Sequence, residues 1–93
     1  MNNILIIEDE VSVSEILKAY LEKEGYNVFC SQNGLDGIEL FRKNNIKLVI
    51  LDLMLPDIEG EEVCKMLRKI SDVYIFMLTA KVTLNDKING LSI

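Results

Sequence analysis

Three apolar runs in this sequence end in side chains that carry oxygen chemistry. Ile4-Leu5-Ile6-Ile7 stops at Glu8-Asp9-Glu10, Leu48-Val49-Ile50-Leu51 stops at Asp52, and the run from Val73 to Leu78 stops at Thr79. Carboxylates gathered in one pocket repel one another unless a cation sits among them. Oxygen ligands without histidine or cysteine suit a hard ion, Mg2+ or Mn2+. A metal to neutralise charge, a carboxylate as nucleophile and a hydroxyl to hold an equatorial oxygen outline a phosphoryl-transfer site. Taken singly, each position has a plainer reading. Glu8-Asp9-Glu10 suits a helix start, where acid complements the helix dipole. Asp52 suits a turn ahead of Pro56, and Thr79 suits an N-cap or a strand-end hydroxyl. It is their shared position at strand ends that carries the functional reading.

The elements that must position them alternate. Ile4 to Ile7 reads as a buried parallel strand, apolar on both faces. A helix follows, with Val13, Ile16, Leu17, Tyr20 and Leu21 at helical spacing. Ser12 serves as its N-cap, Glu15 completes a capping box, and Gly25 is the stop. A second strand spans Asn27 to Ser31, and a second helix spans Gly34 to Asn44 with Leu35, Ile38 and Phe41 inward. The third strand is Lys47 to Leu51. Residues 52–60 form a loop holding the single proline, Pro56, where it costs no ladder bond. The third helix spans Glu61 to Ile70, with Val63, Met66, Leu67 and Ile70 on one face. The fourth strand is Val73 to Leu78, and a fourth helix is expected over 83–91 with Leu84, Ile88 and Leu91 inward. This βαβαβαβα order predicts an α/β fold, a doubly wound parallel sheet in the flavodoxin-like strand order 2-1-3-4. Strands one, three and four are then neighbours about 4.8 Å apart, so Glu8, Asp9, Asp52 and Thr79 can converge at their carboxyl ends.

Composition narrows the classes. The chain has 93 residues, 49% hydrophobic and 27% charged, the balance of one soluble globular domain rather than a disordered segment. Its net charge of −5 disfavours binding to a phosphate backbone, and no basic recognition helix is present. The absence of histidine excludes Ser-His-Asp triads, Cys-His nucleophiles and His-ligated zinc. No signal peptide or membrane span is legible, which makes a cytoplasmic location the expectation. Cys30 and Cys64 are far apart with no CxxC, and are expected to be buried, reduced thiols without a function.

The residues at the strand ends resemble those of a response-regulator receiver domain of bacterial two-component signalling. Ile4 to Glu10 resembles the first strand and acid pair, in the Glu-Asp form of the subfamily with winged-helix outputs. Leu51-Asp52-Leu53-Met54-Leu55-Pro56, followed by Gly60, resembles the phosphoacceptor segment. Leu78-Thr79-Ala80 resembles the end of strand four. The likeness covers residues 2–92. It implies that Asp52 accepts a phosphoryl group from a sensor histidine kinase, which supplies the histidine this chain lacks. It implies that Asp9, Asp52 and the main-chain carbonyl of Met54 bind Mg2+, with Glu8 acting through a metal-bound water. It implies that Thr79 grips the phosphoryl group and that Ala80 leaves room for it. Such a domain is not a turnover enzyme. At most it takes phosphate from small donors and dephosphorylates itself.

The family pattern continues with a fifth strand, an aromatic switch residue, a Lys-Pro pair and a fifth helix, whereas this chain stops at Ile93. Lys81 does not replace the absent lysine, because it follows Thr79-Ala80 on another strand end. The expectation is therefore a receiver domain over 1–93, truncated after helix four and without an output domain. Its apolar, uncharged fourth strand becomes an edge, which predicts self-association through strand four or helix four. The alternative function is a receiver-like interaction or dimerisation module, or a fragment, that does not switch. A phosphohydrolase of the haloacid-dehalogenase type is disfavoured, because it needs an aspartate where Met54 stands.

Overall fold

Strands that are apolar on both faces require cover on both faces, and the chain provides it. The computed structural model describes residues 2–78. They form β1 (Asn3–Ile7), α1 (Val11–Lys23), β2 (Asn27–Ser31), α2 (Gly34–Lys43), β3 (Ile46–Asp52), α3 (Gly60–Arg68) and β4 (Tyr74–Leu78). All strand pairings are parallel, in the order β2-β1-β3-β4 expected from the alternating pattern. The expected helix over 83–91, and the expected positions of Thr79, Ala80 and Lys81, lie outside the described residues.

The period-two alternation of the strands sorts the core into two layers. Leu5, Ile7, Val49 and Leu51 face α2 and α3, where they meet Ile38, Val63 and Leu67. Ile4, Ile6, Val28, Ile50 and Leu78 face α1, where they meet Val13 and Leu17. Burying one such side chain contributes about 1.5–3 kcal/mol. β1, the most completely buried strand, is thus held from both sides.

Helix ends refine the expected boundaries. α1 begins at Val11 with Glu10 as its N-cap and no side-chain cap. The Glu10 carbonyl already accepts the N–H groups of Val13 and Ser14, each at 3.1 Å. Ser12 therefore lies inside the first turn, and the expected Ser12–Glu15 capping box does not form. At the other end Gly25 has φ +94, which suits glycine. The Gly25 N–H donates to Glu22 O at 3.0 Å and the Tyr26 N–H to Leu21 O at 3.1 Å, the paired bonds of a Schellman motif.

Four expected inward side chains are instead exposed: Ile16, Tyr20, Leu35 and Ile70, at 44%, 57%, 56% and 50%. Ile70 falls beyond the end of α3. Leu35 turns outward because α2 buries its glycines, not its leucine: Gly37 against Ile7 of the sheet, and Gly34 against Ile58 and Val63. A Cβ on Gly37 would stand 2.5 Å from Ile7 Cδ1 and 2.7 Å from Cγ1, and one on Gly34 would stand 2.6 Å from Ile58 Cγ1. Cys30 is exposed on the edge strand β2, and Cys64 is half-buried. Partial desolvation still pushes the Cys30 thiol pKa up, with Lys18 opposing and Glu22 adding to the effect.

Gly37→Ala should cost about 1–3 kcal/mol, because Ile7 is fully buried and has little room to move. The measurement is the urea midpoint at constant m-value. A midpoint at or above that of the wild type would mean that α2 lies further from β1.

Candidate functional site

Register decides which side chains meet. Ile7 pairs with Leu51 and Asp52 pairs with Leu78, so β1, β3 and β4 end level. The residues that follow Ile7 are Glu8 and Asp9, beside Asp52. One ligand oxygen from each of Glu8, Asp9 and Asp52 lies within 4.8 Å of the other two. Glu8 and Asp52 are buried, at 0% and 2% exposure, while Asp9 is exposed and forms the solvent side of the cluster.

Backbone groups hold the buried pair. The Glu10 N–H donates to Glu8 Oε2 at 3.1 Å, and the Met54 N–H donates to Asp52 Oδ1 at 3.3 Å. Buried carboxylates are costly unless they are hydrogen-bonded or paired with positive charge. The donor set is wholly oxygen, which fits a hard cation such as Mg2+. Two oxygens on opposite sides of Mg2+ are about 4 Å apart. The observed span therefore suits one ion with a bound water completing the set.

The structure thus brings together three of the expected positions, Glu8, Asp9 and Asp52, and sets the Met54 amide against Asp52. Thr79 and Ala80 lie outside the described residues, although Leu78 ends β4 directly opposite Asp52.

The loop from Asp52 to α3 is tied at two places, one at Gly60 and one at Asp57, the second of which sequence reasoning did not single out. At its base the Gly60 N–H donates to Leu53 O at 2.9 Å. A Cβ on Gly60 would run into Asp52 O and would stand 2.7 Å from Leu53 Cα, so only glycine fits. At its tip the Asp57 carboxylate reaches α2. Oδ1 accepts the Gly34 N–H and Oδ2 accepts the Leu35 N–H, each at 2.8 Å. Desolvation pulls the Asp57 pKa up, but the N–H donors of Gly34, Leu35, Ile58 and Asp57 itself together outweigh it and hold the pKa below 3.8. Gly60 is readable as a helix-start glycine after a loop. Asp57 has no local signal, because its partners lie 23 and 22 positions away.

Comparison with known proteins agrees with this geometry. The family model for the response regulator receiver domain matches residues 4–93. The chain is 43% identical over 90 residues to a protein of Porphyridium aerugineum named "Probable transcriptional regulator ycf27", covering 97% of this chain and 38% of that protein. It therefore spans well under half the length of that relative. Among solved structures, histidine kinase ThkA in complex with response regulator protein TrrA matches with a TM-score of 0.81 at 39% identity, over 89% of this chain and 72% of the matched one. The BeF3-activated N-terminal receiver domain of Klebsiella pneumoniae RstA matches with a TM-score of 0.82 at 31% identity, over 98% of this chain and 78% of that one. A doubly wound parallel sheet with an acidic cluster at its carboxyl edge is an α/β domain whose site lies at the strand ends. Within that class, this chain belongs to the response regulator receiver domain family of two-component signalling. Receiver domains are signalling domains, not turnover enzymes. Among the described residues no helix is long and apolar enough to cross a membrane.

Two outcomes test the loop ties. Gly60→Ala must displace backbone rather than a side-chain tip, so its cost should be at the upper end of about 1–3 kcal/mol. Unchanged thermal stability would contradict the close approach to Asp52. For Asp57, a folded pKa below the unfolded value means that its contribution is complete above pH 3.8 and is lost as pH falls through the folded pKa. The stability gap between the wild type and Asp57→Asn should therefore be constant at neutral pH and shrink in acid. A gap that widened in acid would reverse the sign of the shift.

Proposed function

We propose that this chain is the phosphoacceptor of a two-component pathway, taking a phosphoryl group on Asp52 from the phosphohistidine of a sensor kinase with Mg2+ or Mn2+. One observation carries the reading: three carboxylates, Asp52 among them, converge at level strand ends, two of them buried. In the transfer, a carboxylate oxygen of Asp52 forms the new P–O bond as the P–N bond of the donor breaks, and the histidine leaves on the kinase. A bound Mg2+ supplies neutralisation of the phosphoryl oxygens as charge redistributes. Asp9 and Asp52 hold that ion together with the Met54 carbonyl, and Glu8 acts through a water. Thr79 grips the phosphoryl group and Ala80 leaves room for it. The ThkA–TrrA complex supports a kinase as the partner class. The same reading places the domain in the cytoplasm and limits its own chemistry to phosphorylation from small donors and self-dephosphorylation.

The test is the intact mass after incubation with acetyl phosphate and Mg2+. The wild type should gain one phosphoryl group and Asp52→Asn should gain none, while its fold is retained. Labelling that persisted in Asp52→Asn would place the acceptor elsewhere. Asp9→Asn should weaken Mg2+ by about tenfold or more, and equal affinity in a calorimetric titration would mean that the metal is held differently.

A second reading rests on β4. Among the described residues it is an edge strand, with Tyr74 at 75% exposure and Phe76 and Met77 at 36% and 37%. Tyr74 and Phe76 also line an apolar groove of about 400 Å³ with Leu17, Tyr20, Leu21, Leu48 and Ile50. An unpaired, uncharged strand beside such a groove favours pairing with a second copy. Light scattering at tens of micromolar should give a dimer, and Tyr74→Lys with Met77→Lys should give a monomer. A monomeric wild type would contradict self-association.

A further inference from the structure

The loop between β3 and α3 starts from Asp52 at the end of β3 and carries the Met54 carbonyl, two of the groups assigned above to Mg2+. How firmly that loop is held therefore decides how well the metal site is formed before metal arrives. Its base is closed by the Gly60–Leu53 hydrogen bond and by the contact of Gly60 with the Asp52 carbonyl. Its tip is tied to α2 by the carboxylate of Asp57, three residues beyond Met54. Asp57 spans to the first two residues of α2 with two 2.8 Å bonds, one from each carboxylate oxygen. Ile58 packs on the same spot, filling the space where Gly34 lacks a Cβ.

These bonds are strong for their type. They join an ionised acceptor to N–H groups at the positive end of a helix dipole. They also complete the helix start. The N–H groups of Gly34 and Leu35 go to Asp57, and the Asp36 N–H goes to Asn33 Oδ1 at 2.9 Å. α2 thus has two caps, one local and one borrowed from the site loop. The local cap, Asn33, makes its side-chain hydrogen bonds with Asp36 of α2. The borrowed cap touches both α2 and the loop.

We propose that Asp57 is a positioning residue for the metal site: by clamping the tip of the 52–60 loop to the N-terminus of α2, it holds the Met54 carbonyl in place for the cation. This deepens the reading of the acidic cluster given above and rests on it. A role confined to helix stability would make Asp57 and Asn33 equivalent, whereas a positioning role separates them.

The experiment compares Asp57→Ala and Asn33→Ala in the full 93-residue chain. Each removes one cap from the same helix, so both should lower the thermal midpoint. Mg2+ affinity, from calorimetric titration with MgCl2, should fall about tenfold in Asp57→Ala, as for outer groups that orient a metal ligand, and should stay within twofold of wild type in Asn33→Ala. In the metal-free chain, the Met54 and Gly60 amides should exchange with solvent faster in Asp57→Ala only. Should Asp57→Ala fail to fold, Asp57→Asn keeps one acceptor oxygen, and an intermediate loss of affinity is expected. Equal Mg2+ affinity in wild type and the Asp57 variants, or equal losses in the Asp57 and Asn33 variants, overturns the positioning role while leaving the metal site intact. A wild type that takes up no Mg2+, yet shows the faster loop exchange in Asp57→Ala, overturns the metal reading and keeps the clamp only as a structural tie.

Discussion

The constraint on which this molecule depends is the level ending of its central strands. Parallel pairing sets Ile7 opposite Leu51 and Asp52 opposite Leu78. A one-residue slip in either ladder would turn every strand side chain to the other face and break both core layers. The register is therefore enforced by burial of Leu5, Ile7, Val49 and Leu51 on one side and Ile4, Ile6 and Ile50 on the other. Enforced register brings Glu8 to Asp52 as a side effect, and leaves two buried carboxylates that only hydrogen bonds and a cation can stabilise together. The hydrophobic core thus secures a site whose own electrostatics oppose its assembly.

Around this centre the chain uses close backbone approach where a larger side chain would intrude. Gly60 lets α3 start against the Asp52 carbonyl, and Gly34 and Gly37 let α2 sit on Ile58 and Ile7. The same tight seating gives Asp57 access to the first N–H groups of α2. Loop, helix and strand end are joined within one short stretch of structure.

Much of this was legible in the residues. The apolar runs located all four strands, and the acidic endings of the first and third located the cluster, because strand burial and strand-end chemistry are both local signals. The structure departs from the sequence reading where geometry is set by distant partners. Ser12 has the right spacing for a capping box, but the acidic turn winds into α1 two residues sooner. Leu35 has the right period for an inner face, but the glycines on either side of Asp36 win that face by allowing closer approach. Cys30 is apolar enough for a core, yet it lies on an edge strand. Asp57 could not be read at all, since its role depends on two amides more than twenty positions away.

The central claim is that the strand ends build one hard-cation site from Glu8, Asp9, Asp52 and the Met54 carbonyl. Paramagnetic broadening of backbone amide signals by substoichiometric Mn2+ tests it most directly. The account predicts early loss of the signals of residues 8–10 and 52–54, with those of Glu22 and Glu24 at the far end of α1 retained and the effect reversed by excess Mg2+. Broadening spread evenly over the acidic surface, or centred on α3, would contradict it.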